Sequence, residues 1–572
     1  MATVRVPLLA LLLCIACGRG TGDGGWGTGA PTSDVLLRGG WIVDGTGNPR
    51  YRGDLAIAGD RIAAVGLVAA AARETLDVSG LVVAPGFIDM LGQSEDNVLV
   101  DNRVLSKVTQ GITTEVTGEG GSIAPLTDAL IAEDSAWMRR YGVTKDWHDL
   151  AGYFAHLERT GSTINIATFV GATQVRRVVV GDADRRATPE ELARMAALVD
   201  TAMRQGALGL SSSLVYAPAI YAPTEELVAL ARAARRHGGI YATHIRNEGT
   251  GIDAALGEAF RIAREAGIPV EIWHLKVAGR ASWGRMPHVL ARIDSARAAG
   301  LDVTADQYPY TRSATSLAAA IPPWAHAGGT DSLLARLADP RTRARVRADM
   351  MARAGATENF FRGAGGAGGV LISSTFADSL RYLQGRTVAE IAAARGRDPV
   401  ETLFDLVLAD RARTGAVYSS MNEDDVQAAL RHWWVAVNTD YGGVAPDGPF
   451  ADARPHPRSY GSFTRILGHY VRDLRLLSLE SAVRKMTSLA AQRVGLEDRG
   501  LLRAGMFADV TVFDPAAVAD RATFTDPHRP SAGIAYVFVN GQAILRDGRL
   551  TAARPGRGLR GPGFPASADR AP

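Results

Sequence analysis

Eight short apolar runs through the middle of the chain constrain its fold more than any other feature. They are Val82–Asp89, Thr113–Val116, Asn165–Val170, Gly209–Ser212, Ile240–His244, Val270–His274, Val303–Gln307 and Trp434–Asp440. Between them lie stretches with apolar residues at three-to-four spacing, such as Glu190–Gln205, Thr224–His237 and Ala254–Ala266, the periodicity of amphipathic helices. Strands alternating with crossover helices predict an α/β fold, a TIM-like (β/α)8 barrel whose site forms where the strands end. The segment from about 318 to 431 is too long for one crossover. It carries the Gly-rich stretch Gly363 to Gly369 and reads as an insertion near the site.

The chain's 572 residues exceed what one compact core accommodates. Both ends read as short strands broken by turn residues: Val35 to Leu37, Trp41 to Val43, Asp54 to Ile57 and Arg61 to Val65 at one end, Gly505 to Asp514, Ile534 to Asn540 and Gln542 to Leu545 at the other. They predict one small β-sandwich domain assembled from residues 34–84 and 495–560, around a barrel of residues 85–494, with 561–572 as a tail. Residues 1–17 read as a signal peptide, a basic start followed by an apolar run too short to span a bilayer. Ile15-Ala16-Cys17-Gly18 resembles a lipoprotein cleavage site, which predicts an exported, periplasmic or cell-surface protein held to a membrane only through Cys17, with 18–33 as a flexible tether. Both cysteines, Cys14 and Cys17, lie in that segment; the body has no thiol for disulfides or cysteine catalysis. A net charge of +3 gives no case for nucleic acid as a partner.

Four of the segments close on residues that can hold a metal. His244 ends Ile240-Tyr241-Ala242-Thr243, and His274 ends Val270-Glu271-Ile272-Trp273. Consecutive barrel strands point two such imidazoles into one bowl, and a catalytic zinc site needs three protein ligands and an open position. Asp440 closes the last run, where a carboxylate can touch a metal and accept a proton as general base. Glu119, between Gly118 and Gly120 just past the second strand, is free to turn its carboxylate inward. Taken singly, a strand-end histidine is more often structural, and an Asp or Glu in a turn is more often solvated.

Pro85-Gly86-Phe87-Ile88-Asp89, Gln110-Gly111-Ile112-Thr113-Thr114, Thr243-His244-Ile245-Arg246-Asn247-Glu248, His274-Leu275-Lys276 and Arg454-Pro455-His456-Pro457-Arg458, in that order, resemble the amidohydrolase superfamily and within it the N-acyl-D-amino-acid deacylases. The resemblance runs from about Val35 to Asn540. It implies a TIM-like barrel with a composite β-sandwich and zinc-dependent removal of an acyl group from a D-amino-acid nitrogen. It makes His244 and His274 metal ligands, Asp440 the catalytic aspartate, and Lys276, Tyr308 and Arg458 the groups that hold the substrate carboxylate. Arg offers that carboxylate a planar fork and Lys a compact charge. The serine expected after Tyr308-Pro309-Tyr310 falls near Ala314, between Ser313 and Thr315.

The chain departs from the pattern twice. The first-strand His-x-His is replaced by Leu91-Gly92-Gln93; Leu binds no metal, and Gln93, Ser94 and Glu95 offer only oxygens. The family's metal-bound cysteine falls in Gly118-Glu119-Gly120-Gly121, where Glu119 is the available replacement. A carboxylate there hardens the site and brings Mn2+ or Fe2+ into range beside Zn2+. The sequence thus predicts a hydrolase of non-peptide amide C–N bonds with one ion on Glu119, His244, His274 and Asp440, acting on a small N-acylated amino acid. Two alternatives stand beside it: a catalytically degenerate surface binding protein on the same fold, and a hydrolase of D-peptides, cyclic amides or carbamates.

Overall fold

The computed structural model describes residues 33–69, 71–352 and 357–565. The signal-peptide and lipoprotein readings lie outside these residues, as do most of the predicted tether and tail. No helix among the described residues is long and apolar enough to cross a membrane.

The eight barrel strands are β1 (Phe87–Asp89), β2 (Ile112–Thr117), β3 (Asn165–Thr168), β4 (Gly209–Ser213), β5 (Ile240–His244), β6 (Val270–Ile272), β7 (Val303–Gln307) and β8 (Val435–Val437). Neighbours β1–β2–β3 and β4–β5–β6–β7–β8 pair in parallel throughout. Leu208 N donating to Thr168 O (2.9 Å) joins β3 to β4, and Asp440 N donating to Leu91 O (2.8 Å) joins the end of β8 to that of β1. The ring is therefore closed. Helices Pro189–Arg204, Thr224–Arg235 and Ile252–Ala266 lie where the periodicity places them. The first is fixed at its start by a capping box between Thr188 and Glu191.

Three strand boundaries differ from expectation. The run Val82–Asp89 is one segment serving two sheets: Val82–Pro85 pairs antiparallel with Val510–Phe513 in the small domain, and β1 begins only at Phe87. Pro85 has no N–H for a continuous ladder, and Gly86 lets the chain pass close to Thr113, whose hydroxyl a Cβ would meet at 2.2 Å. The runs ending in His274 and Asp440 also stop early, at Ile272 and Val437.

The small domain is one branched nine-stranded sheet, with strands from residues 33–85 and from 510–550 hydrogen-bonded side by side. Leu37, Ile57 and Val83 share an apolar cluster there with Val510, Val512 and Phe538, so each terminal segment buries its apolar face only against the other. The insertion starts slightly earlier than expected. It is built on a three-stranded antiparallel sheet of Ser313–Ser316, Gly415–Tyr418 and Val370–Ser374 and has its own core, including Leu333, Phe404 and Tyr418. Its first strand and Phe360 reach the mouth of the barrel. Trp434 is buried in the barrel core, whereas Trp433 is exposed to solvent.

Candidate active site

Glu119, His244 and His274 converge at the mouth. Glu119 Oε1 lies 3.0 Å from His244 Nδ1 and 3.2 Å from His274 Nε2, and one ligand atom from each residue falls within 4.8 Å of the others. His244 is the last residue of β5; His274 sits two residues past β6. Both imidazoles are buried, with ring centroids 4.4 Å apart and planes at 85°. Two imidazoles and a carboxylate suit Zn2+ by donor type and number.

Backbone strain helps aim two of the residues. His274 has φ 37° and Asp440 has φ 46°, left-handed values that cost a non-glycine residue roughly 1–3 kcal/mol. Each is held by its neighbours. Asp306 Oδ1 accepts His274 N at 2.6 Å and Asp306 O accepts Leu275 N at 2.8 Å, while Leu91 O accepts Asp440 N.

The electrostatics are dense. Burial pushes the Glu119 carboxyl up, but hydrogen bonds from His244 and His274 prevail and hold it well below the usual range. Burial and Lys276 push the His274 imidazolium down, yet Asp440, Glu248 and Glu119 outweigh them and bring it to about 10. A proton is thus held where a cation would bind. The Asp440 carboxyl is raised by burial, against the pull of Arg458 and His274.

Asp440 stands beside the three ligands rather than among them. Its Oδ1 accepts from Gln93 Nε2 at 3.0 Å, and its Oδ2 lies 2.8 Å from Arg458 Nη1. The cluster that brings its ligand atoms together comprises Glu119, His244 and His274. Asp440, expected as a fourth ligand, lies outside that cluster, and both its oxygens face nitrogen donors. Gln93 is an amide donor here, not an oxygen ligand. Ser94 Oγ accepts from Gly443 N, and burial pushes the Glu95 carboxyl up to about 8.

The three carboxylate-holding residues are placed differently from one another. Lys276 Nζ lies 2.6 Å from both Glu248 Oε1 and His274 Nδ1. Arg458 stands behind Asp440, its guanidinium 4.4 Å over the Tyr308 ring; Nη1 is paired with Asp440 Oδ2, and Nε is buried without a hydrogen-bond acceptor. The Tyr308 hydroxyl turns into the core toward Met421 Sδ at 3.6 Å. Tyr308 therefore presents its ring face to the site, between Lys276 and Arg458, not a hydroxyl donor. His456 supports Arg458, accepting Arg458 N on Nδ1 at 3.0 Å.

Glu248 and Lys107 are the functional residues that the sequence reading passed over. Glu248 lies behind both rings, 3.1 Å from His274 Nδ1 and 3.6 Å from His244 Nε2. Such a carboxylate fixes tautomer and ring orientation in metal sites. Its spacing of four residues from His244 was the available signal. Lys107, fully buried, donates to Asp89 Oδ2 (2.8 Å), Thr439 Oγ1 (2.6 Å) and Tyr441 O (2.6 Å). It ties the end of β1 to the end of β8, setting Gln93 against Asp440. The pocket over these groups has a volume of about 360 Å3 and is lined also by Tyr216, Ser313, Ala314, Thr315, Ser316 and Phe360.

A family model described as "Amidohydrolase family" matches residues 74–545. The chain belongs to that family. It is 41% identical to a D-aminoacylase of Alcaligenes xylosoxydans xylosoxydans over 92% of this chain and 97% of that one. Among solved structures, a D-aminoacylase described as having a binuclear metal centre, with one-metal activation and second-metal attenuation, superposes with a TM-score of 0.77 at 38% identity, covering 92% of this chain and all of that one. The N-acyl-D-glutamate deacylase of Bordetella bronchiseptica, solved with zinc and a phosphonate mimic of the tetrahedral intermediate, superposes with a TM-score of 0.77 at 36% identity, covering 92% of this chain and 99% of that one.

Proposed function

We infer that this protein is a metal-dependent N-acyl-D-amino-acid deacylase working with one ion. The observation that carries the reading is the convergence of Glu119 Oε1, His244 Nδ1 and His274 Nε2 beside the carboxylate of Asp440. A Zn2+ ion on these three ligands supplies a Lewis acid for the scissile carbonyl and lowers the pKa of water; Mn2+ or Fe2+ suits the same oxygen-containing set.

The chain's own residues account for the rest. Asp440 accepts the proton of the attacking water and passes it to the leaving nitrogen as the amide C–N bond breaks. Glu248 backs the His274 imidazole at 3.1 Å and stands 3.6 Å from His244 Nε2. Lys276 and the unpaired Nε edge of Arg458 draw the amino-acid carboxylate over the Tyr308 ring, and the wall from Ser313 to Ser316 closes over the acylated end. On the same reading the chain is exported and anchored through Cys17.

The test is elemental analysis of the purified protein with assays on matched N-acetyl-D- and N-acetyl-L-amino acids. The expected outcome is about one equivalent of metal, hydrolysis confined to the D series, and loss of both metal and activity in His244→Ala. Protein that binds no metal, or full activity in His244→Ala, overturns the reading.

A further inference from the structure

The place between Glu119 and Asp440 is filled by a side chain, not left for a cation. Gln93 Nε2 lies 3.0 Å from Glu119 Oε2 and 3.0 Å from Asp440 Oδ1. Both neighbours are carboxylate oxygens, so the amide must turn its NH2 group toward them, one N–H to each. An amide nitrogen has no lone pair free for a metal. The rest of this corner is equally closed to ligands. Leu91 is buried among Ile88, Met90 and Val116, and a Cβ on Gly92 would lie 1.8 Å from Glu115 Oε1. Lys107 already occupies the carboxylates below, 2.8 Å from Asp89 and 3.5 Å from Glu115.

We propose that Gln93 is an amide clasp that limits the centre to one ion and positions Asp440 for proton transfer. Engaging Glu119 Oε2 leaves Oε1 as the oxygen that faces both imidazoles. Engaging Asp440 Oδ1 while Arg458 holds Oδ2 stops the carboxylate from rotating toward the ligands and becoming one of them. Gln93 is a positioning residue: it acts through the two carboxylates and touches neither imidazole. Because Gln93 is solvent-exposed at the pocket mouth, replacing it leaves the core packing in place.

The proposal rests on the deacylase reading, and metal stoichiometry separates the two. Wild type, Gln93→Ala and Gln93→Glu are stripped with chelator and titrated with Zn2+, and bound metal is counted after desalting. The wild type is expected to take up one equivalent and hold that number under excess Zn2+. Gln93→Glu, with a third carboxylate in place of the donor, is expected to take up a second. In Gln93→Ala, kcat falls about 10- to 100-fold, the range for lost outer-shell support, with KM little changed and the acidic limb of the pH–kcat profile displaced. Two equivalents bound by the wild type, or Gln93→Ala matching the wild type in kcat and pH profile, overturns the proposal. No metal at all in the wild type overturns the deacylase reading instead.

Discussion

The acidic side chains around the cation-binding corner do different work according to which atoms face them. Glu119 meets imidazole nitrogens, Asp440 meets an amide and a guanidinium, and Glu248 meets the outer faces of both rings together with Lys276. Glu248 is held well below the usual carboxylate range: burial raises it, and Lys276, His244 and His274 prevail. It is therefore an anion at every working pH. Glu248→Gln should weaken zinc affinity about 10- to 100-fold, measured by competition with a chromogenic chelator, while circular dichroism stays unchanged. Unaltered affinity would mean that the rings are oriented by packing alone. Residues such as His244 and His274 were legible in the sequence because a strand end fixes where a side chain points. The part played by Gln93 was not, since its partners lie 26 and 347 positions away and the choice between amide oxygen and nitrogen depends on what they are. Tyr308 was legible as a site residue, but not the direction of its hydroxyl, which the core around Met421 decides.

At the scale of the element, the junction from Val82 to Gln93 carries the most constraint per residue. Its first half belongs to one sheet and its second half to another, and it ends at Gln93 on the rim of the pocket. Pro85-Gly86 marks the break in the sequence, yet the unbroken apolar character on both sides made it read as one strand. Gly92 is the tightest point, with Glu115 buried directly against it and no room for that carboxylate to retreat, because Oε1 also accepts Ser94 N at 2.9 Å. Gly92→Ala should cost about 3 kcal/mol, the upper end of ordinary overpacking. Urea denaturation with the midpoint compared to wild type checks this; an unchanged midpoint would show that the segment can shift as a unit. The left-handed turns at His274 and Asp440 escaped the sequence for a related reason: neither residue is a glycine, and the hydrogen bonds that enforce the conformation come from Asp306 and Leu91.

For the molecule as a whole, the barrel interior stores acid as well as apolar surface. Glu271, fully buried on β6, is raised to about 7, chiefly by burial and against the pull of Arg493. Its folded pKa lies above its unfolded value near 4.5, so its contribution is fully present below that pH. It is lost as the pH rises toward 7, where the unfolded chain has already ionised. The change is roughly 3 kcal/mol over that window. Glu271→Gln should therefore flatten the pH dependence of the melting temperature between about pH 4.5 and 7; a slope identical to wild type would assign the titration elsewhere. The overall architecture was readable from the alternation of runs and helical stretches because barrel strands buried on both faces keep an apolar signature.

The shared sheet has a consequence for the moment of synthesis. Val82–Pro85 can pair early with Trp41–Ile42 on one side, but its antiparallel neighbour on the other side, Val510–Phe513, emerges late, and β1 follows directly from Val82–Pro85. A ribosome must therefore translate more than four-fifths of the message before the second side of that strand can be paired. Until then the growing polypeptide exposes unpaired edges, the condition in which nascent chains depend on holding factors and slow, late collapse.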